Sequence, residues 1–213
     1  DNLVNPRISD SSWVDLRASV ALGRVRITTV RRIESLMPPG ICMVVRNSFS
    51  YDATADALEY RDRLFSPRMI GVSAFEPVRY AALTDVGVKR SHNQDACAAQ
   101  PAADQASWET LGHVFVVADG MGGHAVGEKA SAQAVRDIPH TDHKHTHEGP
   151  ALALRKAFLE ANAGIHAIGQ ENPEFRGMGT TSTALILRPE GAWVGHVGDS
   201  RAYRIRDGVA EQL

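Results

Sequence analysis

The chain has 213 residues, enough for one ordinary domain or for one domain with an extension. Its composition, with 43% hydrophobic and 23% charged residues, is typical of a soluble globular protein. The net charge of −2 disfavours binding to nucleic acid or to a membrane surface, and no apolar run approaches the roughly 18 residues of a membrane-spanning helix. Cys42 and Cys97 share no motif, which argues against a disulfide framework or a thiolate zinc site and favours a reducing cytoplasm.

The basic residues divide the chain near residue 76. All ten basic residues in positions 1–76 are arginine, whereas every lysine and histidine lies further along. The first part has only short apolar stretches, and it is predicted to be a leader separate from a domain over 77–213. Three explanations stay open: a regulatory extension, a disordered linker, or an upstream assignment of translation, with the protein starting at or near Met69. We favour the third, which an intact mass that includes residues 1–68 would contradict.

Residues 77–124 predict the first half of a regular domain. The β-prone residues 78–84 predict a first strand, and the alanine-rich then polar residues 96–110 predict a strand end and a loop. The nearly continuous apolar run 113–118 predicts a strand that is buried on both faces. This run ends in the glycine-dense turn 119–123.

Two helices and then a series of strands are predicted next. The helices cover about 126–135 and 150–169, and the second has Pro150 near its start, where a missing N–H costs little. Its apolar stripe comprises Leu154, Phe158, Ala161, Ile165 and Ile168. Strands are predicted at 180–187, 193–197 and 202–205, with turns at 189–191 and 207–208 and a further strand from Val209. This order favours a mixed α+β layered domain over a Rossmann-like alternation.

Four histidines crowd the segment between the two predicted helices. The segment is polar and carries Asp142, Lys144 and Glu148 among its histidines, so we predict a solvated loop rather than a transition-metal site. The four are His140, His143, His145 and His147.

Three short clusters place acidic side chains beside glycine or arginine at predicted strand ends. Hard divalent cations such as Mg²⁺ and Mn²⁺ prefer oxygen ligands. A carboxylate at a strand end is held rigidly, a following glycine lets a backbone carbonyl approach a metal, and arginine offers a planar fork to phosphate oxygens. Each cluster alone is more often a turn, but together they indicate metal-assisted attack of water on phosphate. The clusters are Arg90-Ser91-His92-Asn93-Gln94-Asp95, Asp119-Gly120-Met121-Gly122-Gly123-His124 and Gly198-Asp199-Ser200-Arg201.

Four stretches of sequence carry a resemblance to a known family. They are Thr84-Asp85-Val86-Gly87 with Arg90 and Asn93-Gln94-Asp95, then Val116 to His124, then Gly177-Met178-Gly179-Thr180-Thr181, and then His196 to Tyr203. In this order and spacing, they resemble the type 2C, metal-dependent serine/threonine protein phosphatases in their bacterial form, over about residues 77–213.

The resemblance implies a layered α-β-β-α sandwich with two Mn²⁺ or Mg²⁺ ions at one end and a weaker third ion. A water between the two ions is expected to attack phosphoserine or phosphothreonine without a phosphoenzyme. Carried over by position, Arg90 binds the substrate phosphate, Asp95 holds metal and Asp119 bridges both ions. Gly120 offers its carbonyl oxygen, and Asp199 helps to hold the third ion. The expected substrates are phosphoproteins made by a bacterial serine/threonine kinase, and we expect a monomer.

Two departures from the family pattern bear on activity. Some members have a histidine two residues after the bridging aspartate, where this chain has Met121, so His124 should not inherit the role of proton donor. The remaining metal aspartates of the family lie in the C-terminal part of the domain, beyond Leu213, so little activity is expected from these 213 residues alone. The alternative is a non-catalytic, phosphatase-like regulatory or binding domain.

Overall fold

The computed structural model describes residues 29–33, 41–44, 75, 77–87, 90–122, 126–206 and 209–213. The larger of its two sheets has six strands. In chain order these are β1 (Thr29–Ile33), β3 (Asp95–Gln100), β4 (His113–Met121), β5 (Gly179–Thr180), β6 (Ser182–Arg188) and β7 (Gly191–Val197). The spatial order is β1-β7-β6-β4-β3, with β5 paired to the end of β4. Every pairing is antiparallel, as the predicted α+β class requires.

The smaller sheet has three antiparallel strands. These are β2 (Ile41–Val44), β8 (Arg201–Arg206) and β9 (Val209–Gln212), in the order β2-β8-β9. Strands β1 and β2 fall within the predicted leader and pair with β7 and β8. Residues 52–63, where the sequence allows one or two helical turns, lie outside the described residues. The division of the chain at residue 76 stays a prediction.

Two long helices cover one face of the larger sheet. They are α2 (Val126–Lys144) and α3 (Pro150–Glu171), while the short α1 (Gln105–Thr110) precedes β4. The main core lies between these helices and the sheet, and it includes the predicted stripe residues Leu154, Phe158, Ala161 and Ile165. Ile168 is only half-buried. Among the described residues, the layers are thus a helix pair, the larger sheet and the smaller sheet.

The central strands are buried on both faces, as the apolar run at 113–118 predicted. On β6, Ala184 and Ile186 face the helices, whereas Leu185 belongs to a second core with Ala202 of β8. Successive side chains of a strand point to opposite faces, so these strands can be apolar throughout only because both sides are covered.

Three sequence predictions of local structure are wrong. Residues 78–84 form no strand: they are mostly exposed and have no ladder partner among the described residues, while β1 occupies the edge beside β7. Residues 105–110, predicted as part of a loop, form α1, whose N-cap Asp104 accepts from the backbone of Ser107 in a capping box. Helix α2 does not end near Val135 but continues to Lys144, through Pro139.

The extension of α2 also overturns the predicted solvated loop. His140 and His143 are helical, and Asp142 between them is fully buried. His145 and Glu148 then border a short 3₁₀ turn and are hydrogen-bonded to each other at 2.8 Å. Beyond Pro139, the buried Asp142 side chain is bound from outside the helix, by Arg188 at the end of β6.

None of the described helices is both long and apolar enough to cross a membrane.

Candidate functional site

Two carboxylates lie directly opposite each other at one end of the larger sheet. In the antiparallel ladder of β3 and β4, Asp95 is the partner of Asp119, and residues in that relation project from the same face with close Cβ atoms. Both side chains are half-buried. The sequence predicted both as metal ligands, and the structure brings them together.

The two carboxyl groups perturb each other. Burial, and then the charge of Asp119 and a hydrogen bond with it, raise the pKa of Asp95 to about 6. Burial also raises the pKa of Asp119, against the lowering effects of the hydrogen bond with Asp95 and of the Arg90 charge. Two close carboxylates repel each other when both are ionised, and a divalent cation between them relieves that repulsion.

The backbone around this pair is held tightly. The carbonyl oxygen of Gln94 accepts from the Gly120 N–H at 3.0 Å and from the Ser131 hydroxyl at 2.6 Å. This contact joins β3, the end of β4 and the first turns of α2. A Cβ on Gly120 would lie 2.6 Å from the same Gln94 oxygen and closer still to the carbonyl of Gly127. Glycine at 120 therefore permits the close approach of three backbone segments.

Arg90 and Asp199 flank the carboxylate pair. Arg90 is exposed just before β3, and its positive charge lowers the pKa of both Asp95 and Asp119. Asp199 is exposed in the turn between β7 and β8, and its charge raises the pKa of Asp119. The predicted site residues thus lie at one edge of the fold. They are Arg90, Asp95, Asp119, Gly120 and Asp199.

The residues of this edge fit a hard divalent cation. Mg²⁺ is usually held through one or two carboxylates while it keeps several waters, which matches a pair of aspartates next to a backbone carbonyl. In the part of the chain that the structure describes, no group of three or more histidine, cysteine or carboxylate ligands comes together, around the histidines of α2 or elsewhere. The pair Asp95–Asp119 is therefore the centre of the candidate site.

Sequence reasoning gave no role to the residues that hold Asp119 in place. The Asp119 N–H donates to the Thr181 hydroxyl at 3.0 Å, and its carbonyl accepts from the Thr181 N–H and the Thr180 hydroxyl, both at 2.9 Å. The Thr181 hydroxyl also pairs with that of the buried Ser200, at 2.6 Å. The signal in the sequence was the Thr180-Thr181 pair at the start of the predicted strand 180–187.

Other residues in or near the three clusters differ in exposure and in hydrogen bonding. His196 bonds the Thr183 hydroxyl and the Gly198 carbonyl, both at 2.9 Å, which is a structural role. Met121 is exposed, and Trp193 is buried in the main core. Gly123 and His124 lie outside the described residues.

Comparison with known proteins agrees with this geometry. The family model described as protein phosphatase 2C matches residues 88–213. The serine/threonine protein phosphatase PstP of Mycobacterium tuberculosis is 35% identical over 136 residues, which cover 64% of this chain and 24% of that protein. The serine/threonine phosphatase stp of Listeria monocytogenes is 35% identical over 134 residues, 61% of this chain and 51% of that protein.

Solved structures show the same likeness. A crystal structure of M. tuberculosis PstP/Ppp aligns with a TM-score of 0.55 at 34% identity, over 65% of this chain and 54% of that one. The PstP catalytic domain in complex with two manganese ions aligns with a TM-score of 0.54 at 35% identity, over 64% of this chain and 55% of that one. The chain spans about half or less of the length of these relatives. Because the family model matches more than half of its residues, the chain belongs to the protein phosphatase 2C family.

Proposed function

We propose that the protein carrying this chain hydrolyses phosphoserine and phosphothreonine in proteins, with Mn²⁺ or Mg²⁺ as cofactor. The observation that carries the proposal is the pair Asp95–Asp119, two carboxyl groups opposite each other with the charge of Arg90 acting on both. Family membership supports the reaction class, and the two manganese ions of the PstP complex support the cofactor.

The roles of the residues follow from their positions. Asp119 is proposed to bridge two cations, Asp95 to hold one of them, and Gly120 to contribute its carbonyl oxygen. Asp199, in the turn between β7 and β8, is proposed to help to hold a weaker third cation. When bound, the cations polarise the phosphoryl oxygens and lower the pKa of the attacking water.

Arg90 is proposed to bind the substrate phosphate. It is exposed next to the two carboxylates, so its guanidinium can pair with phosphate oxygens in a planar, bidentate way. A lysine here would supply charge but not the fork. The polar, open edge of the sheet suits a phosphorylated side chain of a protein better than a small apolar substrate. We propose further that the protein is cytoplasmic, acts as a monomer, and reverses the action of a bacterial serine/threonine kinase.

Hydrolysis of a phosphothreonine peptide by the full-length gene product, titrated with Mn²⁺, tests this function. Activity should require the metal, and Asp119→Asn should lower kcat/KM at least about a hundredfold, since it removes a charge that the transition state needs.

The matched control is Asp104→Asn. The chemical change is identical, but Asp104 is the exposed N-cap of α1, and asparagine caps a helix as well as aspartate does. A folded wild-type protein that is inactive at every Mn²⁺ concentration would refute the enzyme and favour a regulatory phosphatase-like domain. Equal activities of Asp119→Asn and wild type would refute the assigned site.

A further inference from the structure

The junction of β5 and β6 contains one residue that belongs to neither strand. Gly120 pairs with Thr180 and Val117 with Thr183, in one continuous register that places Asp119 opposite Thr181. At that point the Asp119 N–H donates to the side-chain hydroxyl of Thr181 rather than to a ladder carbonyl. Because the Thr181 hydroxyl replaces a ladder carbonyl as the acceptor, the position of the Asp119 backbone depends on the Thr181 side chain.

The same hydroxyl contacts the loop that carries Asp199. The Thr181 Oγ1 lies 2.6 Å from the Ser200 Oγ, and the two residues are only 2% and 3% exposed. Ser200 directly follows Asp199 in the chain. A buried hydroxyl pair of this length has no water to replace it, so breaking the pair leaves polar groups without partners.

The methyl group of Thr181 fixes the other side of this loop. Gly198 has φ of +101°, and a Cβ placed on it would lie 2.6 Å from Thr181 Cγ2. The Gly198 carbonyl is in turn bonded by His196. The residues on both sides of Asp199 therefore contact Thr181: Gly198 lies against its methyl group, and Ser200 bonds its hydroxyl.

Asp119 and Asp199 carry charges of the same sign, and Asp199 is exposed. Because like charges repel, the separation of the two carboxylates depends on what holds the loop. One buried side chain holds the backbone of the first aspartate and the loop of the second.

From these contacts we propose that Thr181 is a positioning residue that sets the separation of Asp119 and Asp199, so that both carboxylates can serve neighbouring divalent cations. This inference rests on the proposed function, because it concerns the same metal site. Neither Thr181 nor Ser200 touches substrate in this role. Both act through the two aspartates, in the way that outer hydrogen bonds orient metal ligands.

The test is Mn²⁺ binding to the full-length protein, measured by calorimetry and by the electron paramagnetic resonance of free Mn²⁺, without substrate. Ser200→Ala keeps the bond between Thr181 and Asp119 and breaks only the tether to the loop. It should weaken the weakest Mn²⁺-binding step about tenfold. Thr181→Val should weaken that step at least as much, and Thr181→Ser, which keeps the hydroxyl, should restore most of it.

A control variant and a double variant show whether the loss of Mn²⁺ binding comes from the contact between Ser200 and Thr181. Ser182→Ala removes a neighbouring buried hydroxyl that has no hydrogen-bond partner among the described residues, and it should leave Mn²⁺ binding unchanged. In an Asp199→Asn background, Ser200→Ala should cause no further loss. Folded Ser200→Ala protein with wild-type Mn²⁺ affinities would overturn the inference but leave the proposed function standing. Wild-type protein that binds no Mn²⁺ would overturn both.

Discussion

Replacing Arg188 by alanine is expected to lower the free energy of unfolding by about 3–5 kcal/mol. The Arg188 Nη2 donates to the Asp142 Oδ2 at 2.9 Å, and the two side chains are 4% and 0% exposed. Without Arg188, the Asp142 carboxylate stays buried without its partner, and its desolvation is no longer offset. Urea unfolding of the full-length protein, followed by circular dichroism, measures the loss.

Arg136→Ala is the matched control for this change. Arg136 forms a 2.8 Å ion pair with Asp137 on the same helix, but its side chain is 70% exposed. Exposed pairs of this kind contribute at most about 1 kcal/mol. If Arg188→Ala were no more destabilising than Arg136→Ala, the link between the end of β6 and the end of α2 would not contribute to stability as its burial implies.

Asp142 should also give the protein a distinctive pH dependence. Burial raises the pKa of Asp142 to about 6, although Arg188 opposes the shift. Between about pH 4 and pH 6 the unfolded chain therefore releases this proton while the folded protein retains it. The stability that the raised pKa supplies is fully present below pH 4 and is lost as the pH rises through 6.

Comparison with Asp142→Asn isolates this effect. Asparagine mimics the protonated carboxyl, so the two proteins should be about equally stable below pH 4. The variant should then gain on the wild type by roughly 3 kcal/mol by pH 7, the equivalent of a shift from 3.8 to about 6. Burial, with Arg188 and His140, lowers the pKa of the neighbouring His143. The lowered pKa of His143 reduces stability as the pH falls below about 6.5. This loss is common to the wild type and to Asp142→Asn. Stability curves that run parallel from pH 4 to 7 would contradict the prediction.

The contacts of Asp142 also show where sequence reasoning stops. Local pattern was enough for β4, α3 and the hairpin of β6 and β7, because alternation, the apolar stripe and the turn residues are all encoded within a few positions. The end of α2 was not predictable in this way. Its last turns are bound by a residue 46 positions away, which local pattern does not reveal, and a proline inside the segment favours an earlier end.

The candidate site was likewise only partly predictable from the sequence. Asp95 and Asp119 were recognisable because three acidic clusters at predicted strand ends occur together and, with the neighbouring motifs, resemble one family. Their pairing in register is a consequence of the β3–β4 ladder. Thr181 was not recognisable as a positioning residue, because a threonine within a predicted strand is already explained by its high β-propensity. Residues 78–84 have the same propensity but no ladder partner among the described residues, so propensity alone did not make a strand.

Gly120→Ala is expected to destabilise the protein by about 3 kcal/mol, at the upper end of the usual cost of overpacking, and to abolish Mn²⁺ binding. The φ angle of Gly120 is not in the left-handed region, so backbone strain is not the reason. A Cβ at this position would overlap the carbonyl groups of Gln94 and Gly127. Both obstacles are backbone atoms, which cannot rotate away as the end of a side chain does.

The methyl group must therefore push β3, β4 and the start of α2 apart, and the two carboxylates lie at that junction. Gly164→Ala in the interior of α3 is the matched control. There the nearest obstacle is the Gln133 Nε2 at 3.1 Å, the end of a flexible side chain, and alanine favours a helix by up to about 1 kcal/mol over glycine. Thermal unfolding and Mn²⁺ calorimetry on both variants should give opposite signs for stability and a loss of binding only for Gly120→Ala. If Gly120→Ala kept wild-type stability and bound Mn²⁺ normally, the three backbone segments would not approach each other as closely as the site requires.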